Sequence, residues 1–350
     1  MPKRLTYFQF LLILLASCEE YYTPKIDDVS GHLVVDALIT NNLSKNYVNL
    51  STTRGFYDGQ APSSVFHATV ELVDKNGVIL EGTESSLGSF NFETVPEIGN
   101  SYKLRIYYQN FTYESEMVTM PPMPEILNAS LVEKAKKEYW SDIYGVVTPV
   151  SFPGNDICVD APVTDSLAYY RFSTRSVLEW NYTPPGGGPQ IFGWNSFYPT
   201  NFNIAGPKIF SQASDKIEKH ALVWLANEST KYFLHTDTLA SNGWILIVDQ
   251  FATSKGSFNY HEKLNSQFAA DGSLFDPIPD QIYGNIRCLS DSTKNVYGYF
   301  DLNSYRQYRY FLRMYIKYNG ANLRQLLTFP YIIDFGQTDK GPPPDGWWEN

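Results

Sequence analysis

Cysteine and histidine are scarce, three and five in 350 residues. His32, His67, His220, His235 and His261 include no pair at metal-ligand spacing on a common helix and no His-Glu-x-x-His. Zinc hydrolase chemistry therefore has no sequence foothold. No Gly-x-Ser-x-Gly elbow and no Ser-x-x-Lys set occurs, which removes the common signatures of serine hydrolases. The glycine run Gly186-Gly187-Gly188 lacks a following lysine and is flanked by prolines, so it is not a phosphate loop. Basic residues are outnumbered, 27 Lys and Arg against 37 Asp and Glu, a net charge of −10. Nucleic-acid binding, which needs clustered cations, is not expected. No repeat of fixed period is visible. Carboxylates are abundant, but no pair stands out as a glycosidase acid and base. The expectation is a chain with no catalytic residue, no metal and no cofactor.

Long apolar runs are also missing, apart from Phe8–Ala16, where Gln9 is the only polar residue. That run is well short of the ~20 residues of a membrane-spanning helix. Lys3 and Arg4 precede it, and it ends Leu15-Ala16-Ser17-Cys18. The pattern resembles the bacterial lipobox and reads as a signal peptide over residues 1–17. Its cysteine thiol takes a diacylglyceryl group before cleavage, so Cys18 becomes the lipidated N-terminus. Each buried methylene of an acyl chain contributes about 0.8 kcal/mol, so two or three chains anchor the protein stably. Losing Lys3 and Arg4 deepens the charge to about −12. The mature chain opens Cys18-Glu19-Glu20. Acidic residues in that place resemble the surface-export signal of Bacteroidota lipoproteins. They imply an outer-membrane position facing outward, with the periplasmic face as the alternative. Residues 18–31 then read as a tether.

What remains is rich in aromatic residues, at 16%, and in β-branched residues, with turn signals at short intervals. An all-β fold follows. In a first unit, residues 32–121, Leu33–Ile39, Tyr47–Ser51, Val65–Val73, Val78–Leu80, Gly88–Phe92, Tyr102–Tyr107 and Tyr113–Thr119 read as strands. Phe66, Ala68, Val70 and Leu72 form the expected core face of the third. Asn76-Gly77 marks a tight hairpin, and Gln109-Asn110 another. This spacing predicts a sandwich of immunoglobulin or transthyretin type. Pro121, Pro122 and Pro124 stop the last strand and mark the boundary.

The second unit, residues 126–350, reads as a further antiparallel β-rich domain. Ala168–Thr174, Tyr232–Thr236, Trp244–Val248 and Tyr305–Tyr318 are its clearest strands. One helix is expected, because Tyr260, Leu264 and Phe268 recur every four residues. Pro184–Pro189 reads as an exposed loop.

The block Gly272–Ile286, with Phe275-Asp276-Pro277-Ile278-Pro279 and Gly284-Asn285, is followed by Val296-Tyr297-Gly298-Tyr299-Phe300. Together with the lipobox, this order resembles an uncharacterised Bacteroidota lipoprotein family of unknown function. Members are typically encoded beside a TonB-dependent outer-membrane receptor. The resemblance implies an accessory subunit for nutrient uptake. Cysteines frequent near the family's C-terminus are missing from Gly341–Trp348, so no disulfide is carried over there. Read from the residues alone, the block is architectural. Gly284-Asn285 suits a tight turn with positive φ, and Gly298 suits a bulge or a close backbone approach.

The candidate contact residues for a ligand or partner are aromatic. Trp180, Tyr182, Trp194 and Tyr198, with Phe192 and Phe197, surround the Pro/Gly loop, and Trp347-Trp348 sit near the C-terminus. Asp165-Ser166-Leu167, Asp237-Thr238-Leu239 and Asp291-Ser292-Thr293 resemble the Bacteroidota O-glycosylation pattern, at Ser166, Thr238 and Ser292. Cys158 and Cys288 either pair in the oxidising envelope or remain separate buried thiols. Three functions compete: the uptake accessory, a stand-alone glycan-binding or adhesive module, and, least supported, an envelope hydrolase.

Overall fold

Strand β1, Leu33–Thr40, sets the plan of the molecule. Its alternation sends Leu33, Val35, Ala37 and Ile39 into one core, while Asp36 points outward. The computed structural model describes residues 30–55, 58–59, 61–141, 143–182, 191–198, 202–207, 215–226, 239–270 and 281–312. Strands β2 (Tyr47–Thr52), β3 (Ser63–Ser64), β4 (Thr69–Asp74), β5 (Ile79–Ser86), β6 (Ser89–Asn91), β7 (Ser101–Tyr108), β8 (Phe111–Ser115) and β9 (Val118–Thr119) follow β1. The turn from β4 to β5 forms as expected. Gly77 takes φ +85°, and Asp74 Oδ1 accepts from the amides of Asn76 and Val78, each at 2.8 Å.

The strand read over Val65–Val73 is only half formed. His67 adopts φ +58°, which breaks the pleat, so β4 begins at Thr69. Val70 and Leu72 are fully buried as expected, but Phe66 turns out to solvent.

Beyond the prolines, β10 (Asn128–Glu133), β13 (Gly154–Pro162) and β17 (Lys216–Ala226) form a three-stranded sheet. Strands β11 (Lys136–Ser141) and β12 (Val147–Phe152) form a separate hairpin. Strands β14 (Tyr169–Tyr182), β15 (Ile191–Phe197), β16 (Asn203–Ala205), β18 (Leu239–Thr253), β19 (Ile286–Cys288) and β20 (Tyr297–Leu312) complete the set. The helix α1 spans Lys255–Phe268, with Ser254 Oγ accepting from the Ser257 amide as its N-cap. Its buried line is Ser257 and His261 rather than Tyr260, Leu264 and Phe268, and Phe268 is exposed. The expected strands Tyr232–Thr236 and the end of Tyr305–Tyr318 lie outside the described residues, as does the Pro184–Pro189 loop.

The two units read from the sequence share one sheet. Its order is β15-β14-β18-β20-β1-β2-β6-β5-β4-β7-β8-β19, with β16 on β14, β3 on β2 and β9 on β7. The chain returns 263 positions later to lay β20 parallel to β1, from Val34↔Tyr297 to Thr40↔Asn303, and lays β19 against β8. Ile286, Cys288, Val296, Phe300 and Leu302 thereby enter the same core as Val35, Leu50, Leu72 and Ile106. The first unit is closed by the end of the second. A second core lies under β14 and β18, around Tyr170, Phe172, Leu246 and Val248. Burying each such side chain contributes roughly 1.5–3 kcal/mol.

The glycine-rich block explains the seam. Gly298 has φ +89°, and a Cβ there would lie 1.9 Å from the Val35 carbonyl oxygen. This is the close approach expected. Gly284 differs from expectation, because its φ is not positive. It is glycine because a Cβ would meet the Gly298 oxygen at 1.6 Å. Asn285 then acts as a strand surrogate: its Oδ1 accepts from the Phe300 amide and its Nδ2 donates to the Phe300 carbonyl, both at 2.9 Å.

Cys158, on β13, and Cys288, on β19, are both buried and free. The structure holds them as two separate buried thiols, the second of the two alternatives. No described helix is long and apolar enough to cross a membrane.

Candidate functional site

Strands β1, β20, β18 and β14 are neighbours, and alternation divides their residues between two faces. One face carries Ala37, Phe300, Leu302, Val248, Ala252, Tyr170 and Phe172 into the two cores. The register places Arg171 beside Phe251 and Tyr305, Ser173 beside Asp249 and Gln307, and Leu38 beside Asp301 on the other. This second face is unusually polar for the centre of a sheet.

Helix α1 covers one end of it. There Asp301 and His261 are each 5% exposed. The Arg171 guanidinium lies 3.5 Å from Asp301 Oδ2 and 3.4 Å from His261 Nε2. His261 Nδ1 is 2.9 Å from the Ser257 carbonyl. A neutral ring donating there leaves Nε2 to accept from Arg171. Burial lowers the His261 pKa, opposed by the nearby Asp301 carboxylate. Tyr260 stacks on Tyr299 at 4.7 Å, and the Arg171 charge sits 4.9 Å over the Phe251 ring. Burial, reinforced by Asp36, pushes the Tyr47 hydroxyl up to about 12. Asp301 Oδ1, Thr253 Oγ1 and both amide atoms of Asn303 are buried without a hydrogen-bond partner. Such groups are costly to bury, so this end is polar at the expense of stability.

The other end is open. A cleft of about 650 Å³ lies there, lined by residues that include Asn41, Asn42, Lys45, Ser173, Arg175, Tyr198, Asp249, Tyr305, Arg306 and Gln307. That volume falls within the roughly 300–1,000 Å³ of small-molecule sites. Lys45 reaches it from a one-turn 3₁₀ helix, Leu43–Lys45. The turn is locked from beneath: Asn46 Oδ1 accepts from the Thr40 amide at 2.6 Å and its Nδ2 donates to the Thr40 carbonyl at 3.1 Å. Asn41 binds both backbone groups of Tyr305, at 2.6 and 3.3 Å, and ties the loop to β20. Asp249 is the hub. Its Oδ2 meets Lys45 Nζ at 2.5 Å, and its Oδ1 accepts from Tyr305 at 2.7 Å and Gln307 at 2.9 Å. Burial and the bond to Asp249 raise the Tyr305 pKa, so its hydroxyl stays a donor.

Of the aromatic residues singled out from the sequence, Tyr198 alone is placed in this lining, and it is 64% exposed. Trp180 and Tyr182 lie on β14, paired with Gly193 and Ile191, and Trp194 lies on β15, paired with Glu179. Trp347, Trp348, Thr238 and Cys18 lie outside the described residues. Ser166 and Ser292 are exposed turn residues, and Asp291 Oδ1 binds the Thr293 amide and hydroxyl at 3.0 and 2.6 Å.

Lys45, Arg171, Asp249, His261 and Asp301 were not anticipated. The available signal was polar residues interrupting apolar strands: Asp249 after Ile245–Val248, and Asp301 and Asn303 around Leu302. Among the described residues, no group of three or more His, Cys, Asp and Glu is arranged to hold a metal.

A β-rich chain with a polar cleft and a buried ionic knot on one sheet face is what the fold and site define. The family model described as "Domain of unknown function (DUF4249)" matches residues 19–309. The chain belongs to that family. Searches of curated proteins and of solved structures return no match.

Proposed function

We propose that this chain is a Bacteroidota outer-membrane lipoprotein, anchored through Cys18, that serves a TonB-dependent nutrient-uptake system as a non-catalytic accessory subunit. The observation that carries the reading is the cleft. Its described lining is amide, hydroxyl and charged groups held by the backbone ties of Asn41 and Asn46, a design for capture rather than bond cleavage. The one carboxylate of the described lining, Asp249, accepts from three donors, so its oxygens are committed to groups of the protein itself. The leader sequence and the acidic residues after Cys18 support an outward-facing anchor, and the family resemblance supports the receptor.

Affinity-tagged native protein, purified from detergent-extracted outer membrane and analysed by mass spectrometry, tests this. A stoichiometric TonB-dependent receptor in the eluate is the expected result. The protein alone would overturn the accessory role. The exposed ring of Tyr198 at the cleft favours a second reading, a stand-alone surface glycan-binding module, which that outcome would leave standing.

A further inference from the structure

Helix α1 is docked by polar contacts. Its only buried side chains are Ser257 and His261, and its last aromatic residue, Phe268, is 69% exposed. Phe258, Tyr260 and Leu264 are half-buried, Phe258 against Tyr169 at 5.2 Å and Tyr260 on Tyr299 at 4.7 Å. Near its end, Asn265 Nδ2 donates to the Phe202 carbonyl at 2.6 Å. A helix of a folded domain ordinarily docks through a buried apolar stripe. Here the buried line ends on Arg171 and Asp301. Asp301 Oδ1, Thr253 Oγ1 and both amide atoms of Asn303 are buried on that face without a hydrogen-bond partner. Water reaching those atoms would satisfy them, so the docked helix covers a surface that favours being wet. A single residue, Ser254, joins the helix to β18.

We propose that α1 is a lid over this end of the polar face, latched by the Arg171–His261 hydrogen bond and released by acid. With a neutral ring the latch has one donor and one acceptor. The Arg171 guanidinium faces His261 Nε2 at 3.4 Å, and Nδ1 is 2.9 Å from the Ser257 carbonyl. A proton added at Nε2 turns that acceptor into a donor and sets two cations against each other in a buried site. The titratable groups around the ring are Arg171 from β14, Asp301 from β20, Asp36 from β1 and Tyr260 from α1 itself. Tyr299 on β20 and Tyr47 on β2 stand around the same carboxylates, and Phe202 packs edge-on against the ring at 4.8 Å. Asp301, 3.6 Å from Nε2, attracts the added proton, but that one carboxylate already faces Arg171. Burial outweighs the attraction and holds the ring below its ordinary 6.5. In the open form the ring stands in water and titrates at the ordinary value. Opening therefore takes up a proton, and below that pH it gains about ten-fold per pH unit until the closed ring itself titrates. Asp301 and Asn303 precede Tyr305 and Gln307 on one face of β20, and Thr253 follows Asp249 and Phe251 on β18. The lid thus regulates the polar face that also carries the cleft. Only this consequence rests on the capture reading, because the latch is built from α1 and the sheet alone.

The test is hydrogen–deuterium exchange of the full mature lipoprotein in detergent, read by mass spectrometry at about pH 7.5 and about pH 5 and corrected for the intrinsic pH dependence of amide exchange. Protection of Lys255–Phe268 is expected to fall about ten-fold or more at the lower pH, while β1, β13 and β17 keep theirs. In His261→Gln, whose side chain takes up no proton in this range, that response is expected to vanish, whether the helix stays docked or stands open throughout. The wild-type comparison needs no variant, so a misfolded His261→Gln protein cannot hide the answer. Equal protection of α1 at both pH values would overturn the lid. Loss of protection in α1 and the control strands together would overturn it as well, and would mark acid unfolding of the whole fold. A His261→Gln protein that keeps the wild-type response would overturn the assignment of the latch to His261. Receptor co-purification reads the accessory role separately, so failure of the lid and failure of the uptake role are distinguishable.

Discussion

Replacing Gly298 with alanine should damage the fold more than any single core truncation of similar size. Gly298 sits on β20 opposite Val35 of β1, in the parallel seam where the end of the chain joins the first unit. Its φ of +89° costs an L-residue about 1–2 kcal/mol. The added Cβ would also lie 1.9 Å from the Val35 oxygen and 2.7 Å from its carbonyl carbon. Backbone atoms cannot rotate away, so β1 and β20 must separate by more than an ångström. That stretches neighbouring ladder bonds, worth about 1 kcal/mol each, and loosens Val35 and Phe300, both fully buried. Together the loss is about 4–6 kcal/mol, a large part of the roughly 5–15 kcal/mol that holds a domain folded. Urea unfolding of the mature chain, followed by circular dichroism, measures it. A Gly298→Ala protein within about 0.5 kcal/mol of wild type would refute the reasoning about the seam.

Asn285→Ala removes both side-chain bonds to Phe300 and strands a buried amide and carbonyl, so a loss of about 2–4 kcal/mol is expected in the same assay. His220, stacked on Phe172 at 5.3 Å, has its pKa lowered by burial from the ordinary 6.5 to about 4. Its contribution is intact above pH 6.5 and is lost as pH falls towards 4, because the unfolded chain binds the proton first. The loss is about 3 kcal/mol, and His220→Phe should flatten stability over that window. Cys158 and Cys288 should resist a thiol reagent in the native state and titrate as two thiols after unfolding without reductant, whereas an unreactive unfolded protein would indicate a disulfide.

The all-β class and many of the first unit's strands were legible because alternation is a local signal. Leu33–Thr40, Tyr47–Thr52 and the Asn76-Gly77 hairpin formed close to where patterning put them. What alternation cannot report is which strand lies next to which. The pairing of β1 with β20 joins residues more than 260 positions apart. The proline boundary therefore looked like the end of a unit that the chain returns to complete. Local backbone geometry also hid: nothing in Val65–Val73 announces that His67 leaves the pleat. The helix was found, but its buried face was missed. A polar contact, His261 to Arg171 and Asp301, directs it rather than the apolar period. The cleft failed to show for the same reason as the seam. Its residues come from β1's following turn, β14, β18 and β20, and Tyr198 alone carried an aromatic signal that sequence could weigh.

The proposed outer-membrane role requires a lipid anchor at Cys18. Cells grown with radiolabelled palmitate, expressing the wild-type chain or Cys18→Ser, measure it directly. Label on the wild-type protein in the outer-membrane fraction, and none on the variant, is the predicted result. An unlabelled wild-type protein recovered in the soluble fraction would contradict the account.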